Sequence, residues 1–336
     1  MIPKRPTLKD VSEKSGVSIS TISRYVNSSG YVDEKTAEII KKAIEELNYK
    51  PNKFAKGLKT DSTQQIMLLI PDIMNPYYAN IFKRLQELAA MDSYTVILYD
   101  TSQDEMKGIE FAEELDVDGM IYCSIYHSES SIEKLADLGK PVVVNTDYEG
   151  NDFDTLHSEY GKGIYVAAKH LIDYGHKKIG YVGGTPTSAI NTRRKKGFLS
   201  AMKASGQAVN QDWIFEMDFT MNAGYRAGMY FAALEERPTA LCAANDIIAM
   251  GIMMAFNEKG IKIPEDISIT GEDNIEFAQV CRPKLTTIDN SSTFFAEHAY
   301  GLLMDRIKKH YGGEPRKVLC PRELVVREST RKMPEG

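Results

Sequence analysis

Polar and aromatic side chains directly follow several short apolar runs of this sequence. Tyr77 and Tyr78 come after the first such run, Asn245 and Asp273 follow two later ones, and Arg194 opens a basic helical segment. Carboxylate, amide and guanidinium groups form the hydrogen bonds that vicinal hydroxyls need, and tyrosine rings stack on a flat ligand or a sugar face. The pattern predicts a small-molecule site, although for at least one tyrosine a core position fits equally well.

Motifs for catalysis and metal binding are missing from the sequence. The segment GYVGG at 180–184 lacks both the GxGxxG spacing and the lysine of a phosphate-binding loop, and there is no GxSxG or HExxH motif. The four cysteines are widely spaced, which indicates reduced, mostly buried thiols in a cytoplasmic protein. We therefore predict no catalytic residue, no cofactor and no metal.

A second group of candidate residues lies in three short helices near the N-terminus. Thr7 is placed to cap the first helix, Gly16 to end it and Ser18 to cap the second, which is the spacing of a helix-turn-helix. Asp33 is placed to cap a third helix. Such a unit has only a minimal core.

The outward residues of the second helix are suited to reading base pairs. Arg24 is able to donate two hydrogen bonds to a guanine, Ile19 suits the methyl group of a thymine, and Ser20 lies beside them. The same pattern also fits a three-helix scaffold with a solvated arginine.

A basic segment follows the third helix. Asn52 is placed to cap a short helix that contains Ala55 and Leu58, and this helix is too short to be stable alone. Its lysines suit phosphates, and a leucine there suits insertion into a minor groove. A plain linker with an incidental leucine remains the alternative.

Charge is divided unevenly along the 336 residues. Residues 1–60 contain twelve Lys and Arg against seven Asp and Glu, a net charge of +5, whereas the whole chain carries −6. A basic N-terminal segment followed by an acidic remainder favours a polyanionic partner for that segment alone, although a chance distribution of charged residues would give the same net charges. No apolar stretch reaches the ~20 residues that span a bilayer, and the N-terminus lacks the apolar core of a signal peptide.

Short apolar runs alternate with helical segments over the rest of the chain. This alternation predicts an α/β body of two doubly wound parallel-sheet lobes, with ligands at the carboxyl ends of the strands. The domains are predicted as a head at 1–49, a hinge and linker at 50–63 and a body at 64–330. Within the body we place the N-lobe at about 64–159 and 290–318 and the C-lobe at about 160–289 and 319–330.

The segments TLKDVSEKSGVSISTISRYVN and IMLLIPDIMNPYY resemble, in order and spacing, those of the lactose-repressor (LacI/GalR) family of bacterial regulators. The resemblance implies a DNA-binding head, a hinge helix and a dimerising effector-binding body that resembles periplasmic binding proteins. It implies base-reading roles for Ile19, Ser20 and Arg24 and a minor-groove role for Leu58. The tetramer-forming C-terminal helix of leucine heptads is missing, which favours a homodimer.

The same resemblance assigns effector-binding positions to Arg194, Asn245 and Asp273, and a ring lining the pocket to Phe219. Glu272 departs from the aromatic or apolar residue usual in the family and adds a charge that we expect near the crevice. The chain is thus expected to be a cytoplasmic transcriptional repressor of a pseudo-palindromic operator, controlled by a sugar or related metabolite. The alternative is a cytosolic small-molecule binding protein or sugar-converting enzyme with an unrelated basic head.

Overall fold

The computed structural model describes residues 6–27, 30–50, 62–126, 128–145, 148 and 150–334. The chain divides into two compact units, Met1–Thr63 and Gln64–Gly336. The predicted hinge residues Asn52, Ala55 and Leu58 lie outside the described residues. Among the described helices, none is both long and apolar enough to cross a bilayer.

The first unit contains three helices, α1 (Leu8–Ser15), α2 (Ile19–Asn27) and α3 (Glu34–Leu47). Thr7 caps α1 in a capping box with Asp10, and Gly16 ends that helix at a φ of 71°, where a side chain would be strained. Asp33 caps α3 by accepting a hydrogen bond from the Thr36 amide.

Five buried apolar side chains form the core of this first unit: Val11, Ile22, Ile40, Ala43 and Tyr49. Val11 comes from α1, Ile22 from α2, and Ile40 and Ala43 from α3, so each helix contributes to the core. So small a core leaves little stability to spare.

Two six-stranded sheets organise the second unit. The strands of the N-lobe are all parallel, in the order β11-β5-β4-β3-β1-β2. They are β1 (Gln65–Ile70), β2 (Thr95–Asp100), β3 (Gly119–Cys123), β4 (Val142–Asn145), β5 (Asp154–His157) and β11 (Lys317–Leu319).

The C-lobe sheet has the order β12-β10-β9-β8-β6-β7, and its one antiparallel pair is β10 with β12. Its strands are β6 (Ile179–Gly183), β7 (Ile214–Glu216), β8 (Ala240–Ala243), β9 (Ser268–Asp273), β10 (Thr286–Asp289) and β12 (Glu323–Val325). The chain passes between the two sheets three times, after β5, after β10 and after β11.

Helices connect the parallel strands, as crossover connections require. Those of the N-lobe are α4 (Pro76–Met91), α5 (Glu105–Glu114), α6 (Glu129–Asp137) and α12 (Ser292–Ile307). Those of the C-lobe are α7 (Tyr160–Asp173), α8 (Ala189–Ala204), α9 (Met221–Ala233), α10 (Asp246–Glu258) and the single turn α11 (Glu276–Val280).

Glycines set two close helix contacts in the C-lobe. A Cβ at Gly197 on α8 would collide with the backbone of Gly161 on α7. A Cβ at Gly224 on α9 would collide with the Ile248 carbonyl, and one at Gly251 on α10 with the backbone of α9. Each helix pair therefore meets backbone to backbone.

Some predicted boundaries were wrong. The sequence pattern predicts a strand at 267–270, but β9 continues to Asp273, because Glu272 points into a buried polar network instead of solvent. The pattern also predicts a helix at 293–311, but α12 ends at Ile307. The strands β5 and β7 were not predicted, because both are short and carry polar residues.

Candidate functional site

The exposed face of α2 carries the residues predicted to read DNA. The side chain of Ile19 is 47% exposed although it is apolar, and Ser20 and Arg24 are exposed beside it. On the opposite face Ile22 is fully buried. The helix therefore presents one apolar, one hydroxyl and one cationic group outward, as direct readout of a major groove requires.

Thr7 and Ser18 form hydrogen bonds to the first turns of α1 and α2. The Thr7 hydroxyl accepts from the Asp10 amide at 3.4 Å, and the Ser18 hydroxyl accepts from the Thr21 amide at 3.3 Å. Both residues are exposed, so each helix start also faces solvent. Helix N-termini carry partial positive charge and are suited to phosphate oxygens.

A cavity of about 230 Å³ lies between the two lobes. Its walls come from the ends of β1, β2 and β3 on one side and of β6 to β10 on the other. The carboxyl ends of parallel strands are the expected ligand-binding edge of such sheets. The lining residues are Pro71, Asp72, Asn75, Tyr77, Tyr78, Thr101, Ser102, Glu105, Ser124, Ile125, Tyr126, Thr185, Ile190, Arg194, Asp218, Phe219, Thr220, Asn245, Asp273 and Asn290.

The six residues predicted to bind an effector all line this cavity: Tyr77, Tyr78, Arg194, Phe219, Asn245 and Asp273. Asn75, in the loop after β1, and Asn290, in the segment that crosses between the lobes after β10, also line the cavity. The sequence analysis did not predict either residue. Asn290 could have been predicted, because it directly follows β10 and ligands bind at the carboxyl ends of parallel strands.

Asp273 lies at the floor of the cavity, at the end of β9. It accepts from the side-chain amides of Asn75 and Asn290, both at 3.4 Å. Its backbone has a φ of 113°, a strained conformation of the kind often found at functional sites. Burial raises the pKa of Asp273 to about 6, although Arg194 opposes that shift.

Arg194 provides the guanidinium of the cavity. It is 6% exposed, its Nη2 donates to Glu272 Oε1 at 2.8 Å, and the same atom lies 3.9 Å from Asp273 Oδ1. Burial works against the charged form, but the Glu272 and Asp273 carboxylates outweigh it and raise the pKa of Arg194. The guanidinium therefore stays charged.

The aromatic rings of the cavity differ in how far they are buried. Tyr77 is buried and its hydroxyl donates to the Asn290 carbonyl at 3.4 Å, while Tyr78 is half-buried and meets the Tyr77 ring edge-on at 5.3 Å. Burial raises the pKa of both phenols, so both stay neutral. The Phe219 ring lies 5.6 Å from the guanidinium carbon of Arg194. Neutral rings of this kind suit the face of a small cyclic ligand.

Asn245 offers only part of its side chain to a ligand. Its Oδ1 caps α10 by accepting from the Ile248 amide at 2.9 Å, which leaves the amide group as a donor. The neighbouring Asp246 is fully buried, accepts from the Ile275 amide and does not line the cavity. Burial raises the pKa of Asp246, and its side chain ties α10 to the chain that follows β9.

Glu272 and His176 are both buried. Glu272 lies next to the crevice without lining it, because its side chain is fully buried against the lining residue Arg194. The sequence places His176 near a helix end, where a cation would be favourable, but the residue is 1% exposed and hydrogen bonded to Thr239 and the Arg331 carbonyl. Burial lowers the pKa of His176, so the ring is neutral at physiological pH.

Comparison with known proteins finds a matching family model for each of the two units. Residues 7–52 match the family model for bacterial regulatory proteins of the lacI family, and residues 168–330 match a periplasmic binding protein-like domain. The HTH-type transcriptional repressor PurR of Pasteurella multocida is 34% identical over 331 residues, which cover 97% of this chain and 98% of that protein.

Solved structures share the fold. A LacI family regulator from Enterococcus faecium with bound ribose is 27% identical over 80% of this chain and 99% of its own, with a TM-score of 0.72. The lac repressor dimer bound to operator and the anti-inducer ONPF has a TM-score of 0.85 at 23% identity, over 98% of this chain and 100% of its own. With the identity to PurR over nearly its whole length, this chain belongs to the lacI family of bacterial regulatory proteins.

Proposed function

We propose that this protein is a homodimeric, sequence-specific transcriptional repressor whose affinity for a pseudo-palindromic operator is controlled by a small molecule. The effector binds in the cavity between the lobes, and it is a sugar or a related metabolite. Its binding changes the operator affinity of the head through coupling between two sites rather than through catalysis.

The observation that carries this proposal is the outward face of α2. Ile19, Ser20 and Arg24 are exposed on a helix whose opposite face is buried. In a dimer, two such helices read two half-sites of a duplex. Asn52, Ala55 and Leu58 of the hinge are assigned to the DNA contact between the half-sites, with Leu58 in the minor groove.

The cavity supports a small hydroxyl-bearing effector. Its volume of about 230 Å³ is below the ~300–1,000 Å³ of drug-sized sites. Asp273 supplies an acceptor, Arg194 and Asn245 supply donors, and the rings of Tyr78 and Phe219 supply flat walls. A single sugar ring fits this combination of size, hydrogen bonding and aromatic surface.

Selection of duplexes from a randomised pool tests the DNA-binding part. The full-length protein is expected to enrich one pseudo-palindromic sequence. Enrichment of no sequence would reject the proposed function and would favour a small-molecule binding protein with an unrelated basic head.

Replacement of Arg194 tests the control by an effector. A thermal-shift screen of sugars, nucleosides and polyols first identifies a molecule that alters operator binding. Arg194→Ala should then abolish the response to that molecule and leave operator affinity without it unchanged. Arg226→Ala is the matched control, because Arg226 is exposed and does not line the cavity. An unchanged response in Arg194→Ala would reject the cavity as the effector site.

A further inference from the structure

The only cation among the described residues that line the cavity is already paired. Arg194 donates to Glu272 Oε1 at 2.8 Å, and Glu272 is fully buried outside the lining. A buried carboxylate at this distance offsets the charge that the guanidinium presents to a ligand. Asp273 Oδ1, 3.9 Å from the same Nη2, offsets it further, so Arg194 acts in the cavity mainly as a hydrogen-bond donor.

Glu272 is itself held from a second side. Arg322, which follows β11 at the third crossing between the lobes, donates to the same Oε1 at 2.7 Å and is 1% exposed in its side chain. The Tyr160 ring lies 5.3 Å from the guanidinium carbon of Arg194 and 5.2 Å from that of Arg322. Arg322 thus helps to hold Glu272 in place beneath Arg194, and the two arginines are balanced by the two carboxylates of Glu272 and Asp273.

The cavity itself is lined by carboxylates. Asp72 and Glu105 lie on the N-lobe side, and Asp218 and Asp273 on the C-lobe side. Glu105 accepts a hydrogen bond from the Ser131 hydroxyl and Asp72 accepts one from the Met74 amide, and neither is paired with a cation of the lining. With Arg194 offset, the described lining carries an excess of negative charge, and such a cleft repels anions.

Two buried polar atoms at the cavity have no hydrogen-bond partner in the described part of the chain. They are the Nε donor of Arg194 and the Oδ1 acceptor of Asn290, and these side chains are 6% and 4% exposed. Buried polar groups in native structures are normally satisfied. The two residues that carry them, Arg194 and Asn290, therefore retain unused hydrogen-bonding capacity next to the cavity.

We propose that Glu272 determines the charge selectivity of the cavity, which accepts uncharged or cationic hydroxyl-bearing molecules and excludes phosphorylated or carboxylated ones. This inference rests on the proposed function of the cavity as the effector site. Glu272 is a specificity-determining residue that acts through Arg194 rather than by touching the ligand.

Inorganic phosphate is the probe, titrated calorimetrically into full-length protein. Four proteins are compared: wild type, Arg194→Ala, the double variant Glu272→Gln/Arg322→Met and the triple variant that adds Arg194→Ala to it. The double variant is included because Glu272→Gln alone leaves two buried guanidinium groups without their carboxylate and is expected to be destabilised. Thermal unfolding establishes that each variant is folded before titration.

Wild type is expected to show no phosphate binding that depends on Arg194. Releasing Arg194 from Glu272 should raise phosphate affinity by about tenfold or more, and adding Arg194→Ala to the double variant should remove that gain. Ribose and ribose 5-phosphate extend the comparison, with wild type disfavouring the phosphate ester and the double variant tolerating it.

Arg194-dependent phosphate binding by wild type would overturn the inference, as would a folded double variant that gains no phosphate affinity. Background binding of phosphate by the basic head is common to all four proteins and cancels in the comparison. The duplex selection described above is independent of these titrations, so failure of charge selectivity is distinguishable from failure of the proposed function.

Discussion

Replacing Asp273 by asparagine should stabilise the body at neutral pH while abolishing the effector response. Asp273 is buried, and burial raises its pKa from 3.8 to about 6. At neutral pH the folded protein therefore holds a carboxylate that would ionise more easily in the unfolded chain. Each unit of pKa difference corresponds to 1.36 kcal/mol, so this ionised group costs about 3 kcal/mol of stability above pH 6.

The direction of the pH dependence follows from the raised pKa. Because the folded state binds the proton more tightly, stability is highest when the carboxyl is protonated and falls as pH rises from about 4 to 6. Asparagine keeps an acceptor for Asn75 or Asn290, whose bonds at 3.4 Å are long and weak. Asparagine also tolerates the φ of 113° better than most residues, so the backbone need not move.

Urea unfolding of wild type and Asp273→Asn at about pH 5 and pH 7.5 measures this effect. The stability advantage of the variant should grow by about 1.4 kcal/mol between the two values. Asp212 is exposed, and the control variant Asp212→Asn should show no comparable change in its stability relative to wild type between the two pH values. A variant that is less stable than wild type at pH 7.5, or an advantage independent of pH, would refute the reasoning.

Three further predictions concern the head and the helix contacts. Arg24→Ala should lose about 1–3 kcal/mol of discrimination between operator and random duplex in gel-shift titrations, whereas Lys41→Ala, at an exposed residue of α3, should leave the discrimination unchanged. Ile22→Ala removes a fully buried side chain at about 2–5 kcal/mol from so small a core, so circular dichroism should detect head unfolding at temperatures where the body remains folded. Gly251→Ala should destabilise the body by about 1–3 kcal/mol in urea unfolding, because its Cβ would meet the α9 backbone; Gly301→Ala, in open space on α12, should stabilise it by about 0.5–1 kcal/mol.

Local patterns predicted much of the fold. The caps at Thr7 and Asp33 and the left-handed Gly16 follow from short-range chemistry, and the alternation of apolar runs with helices predicts the two sheets. Strands such as β5 and β7 escaped prediction because they have only four and three residues and lack an apolar run. Their pairing depends on the neighbouring strands of the sheet.

The site was less predictable where it depends on residues far apart in the chain. Tyr77 and Asp273 were found because one opens a helix and the other lies at a strand end, and Arg194 because it begins a recognisable basic segment within a helix. The ion pair of Glu272 with Arg322 joins residues 50 positions apart and depends on the third crossing between lobes. Local sequence also does not reveal that His176 would be enclosed and neutral, since its partners Thr239 and Arg331 lie far along the chain.

The glycines at the two helix crossings of the C-lobe limit how far the paired helices can move relative to each other. Gly197 packs against Gly161, and Gly224 and Gly251 bring α9 and α10 together, so each helix pair meets backbone to backbone at its crossing point. The paired helices cannot slide or move closer together without a backbone collision, so the C-lobe resists deformation. We therefore expect relative motion of the two lobes to occur mainly in the three connecting segments, as a change in the angle between two rigid bodies.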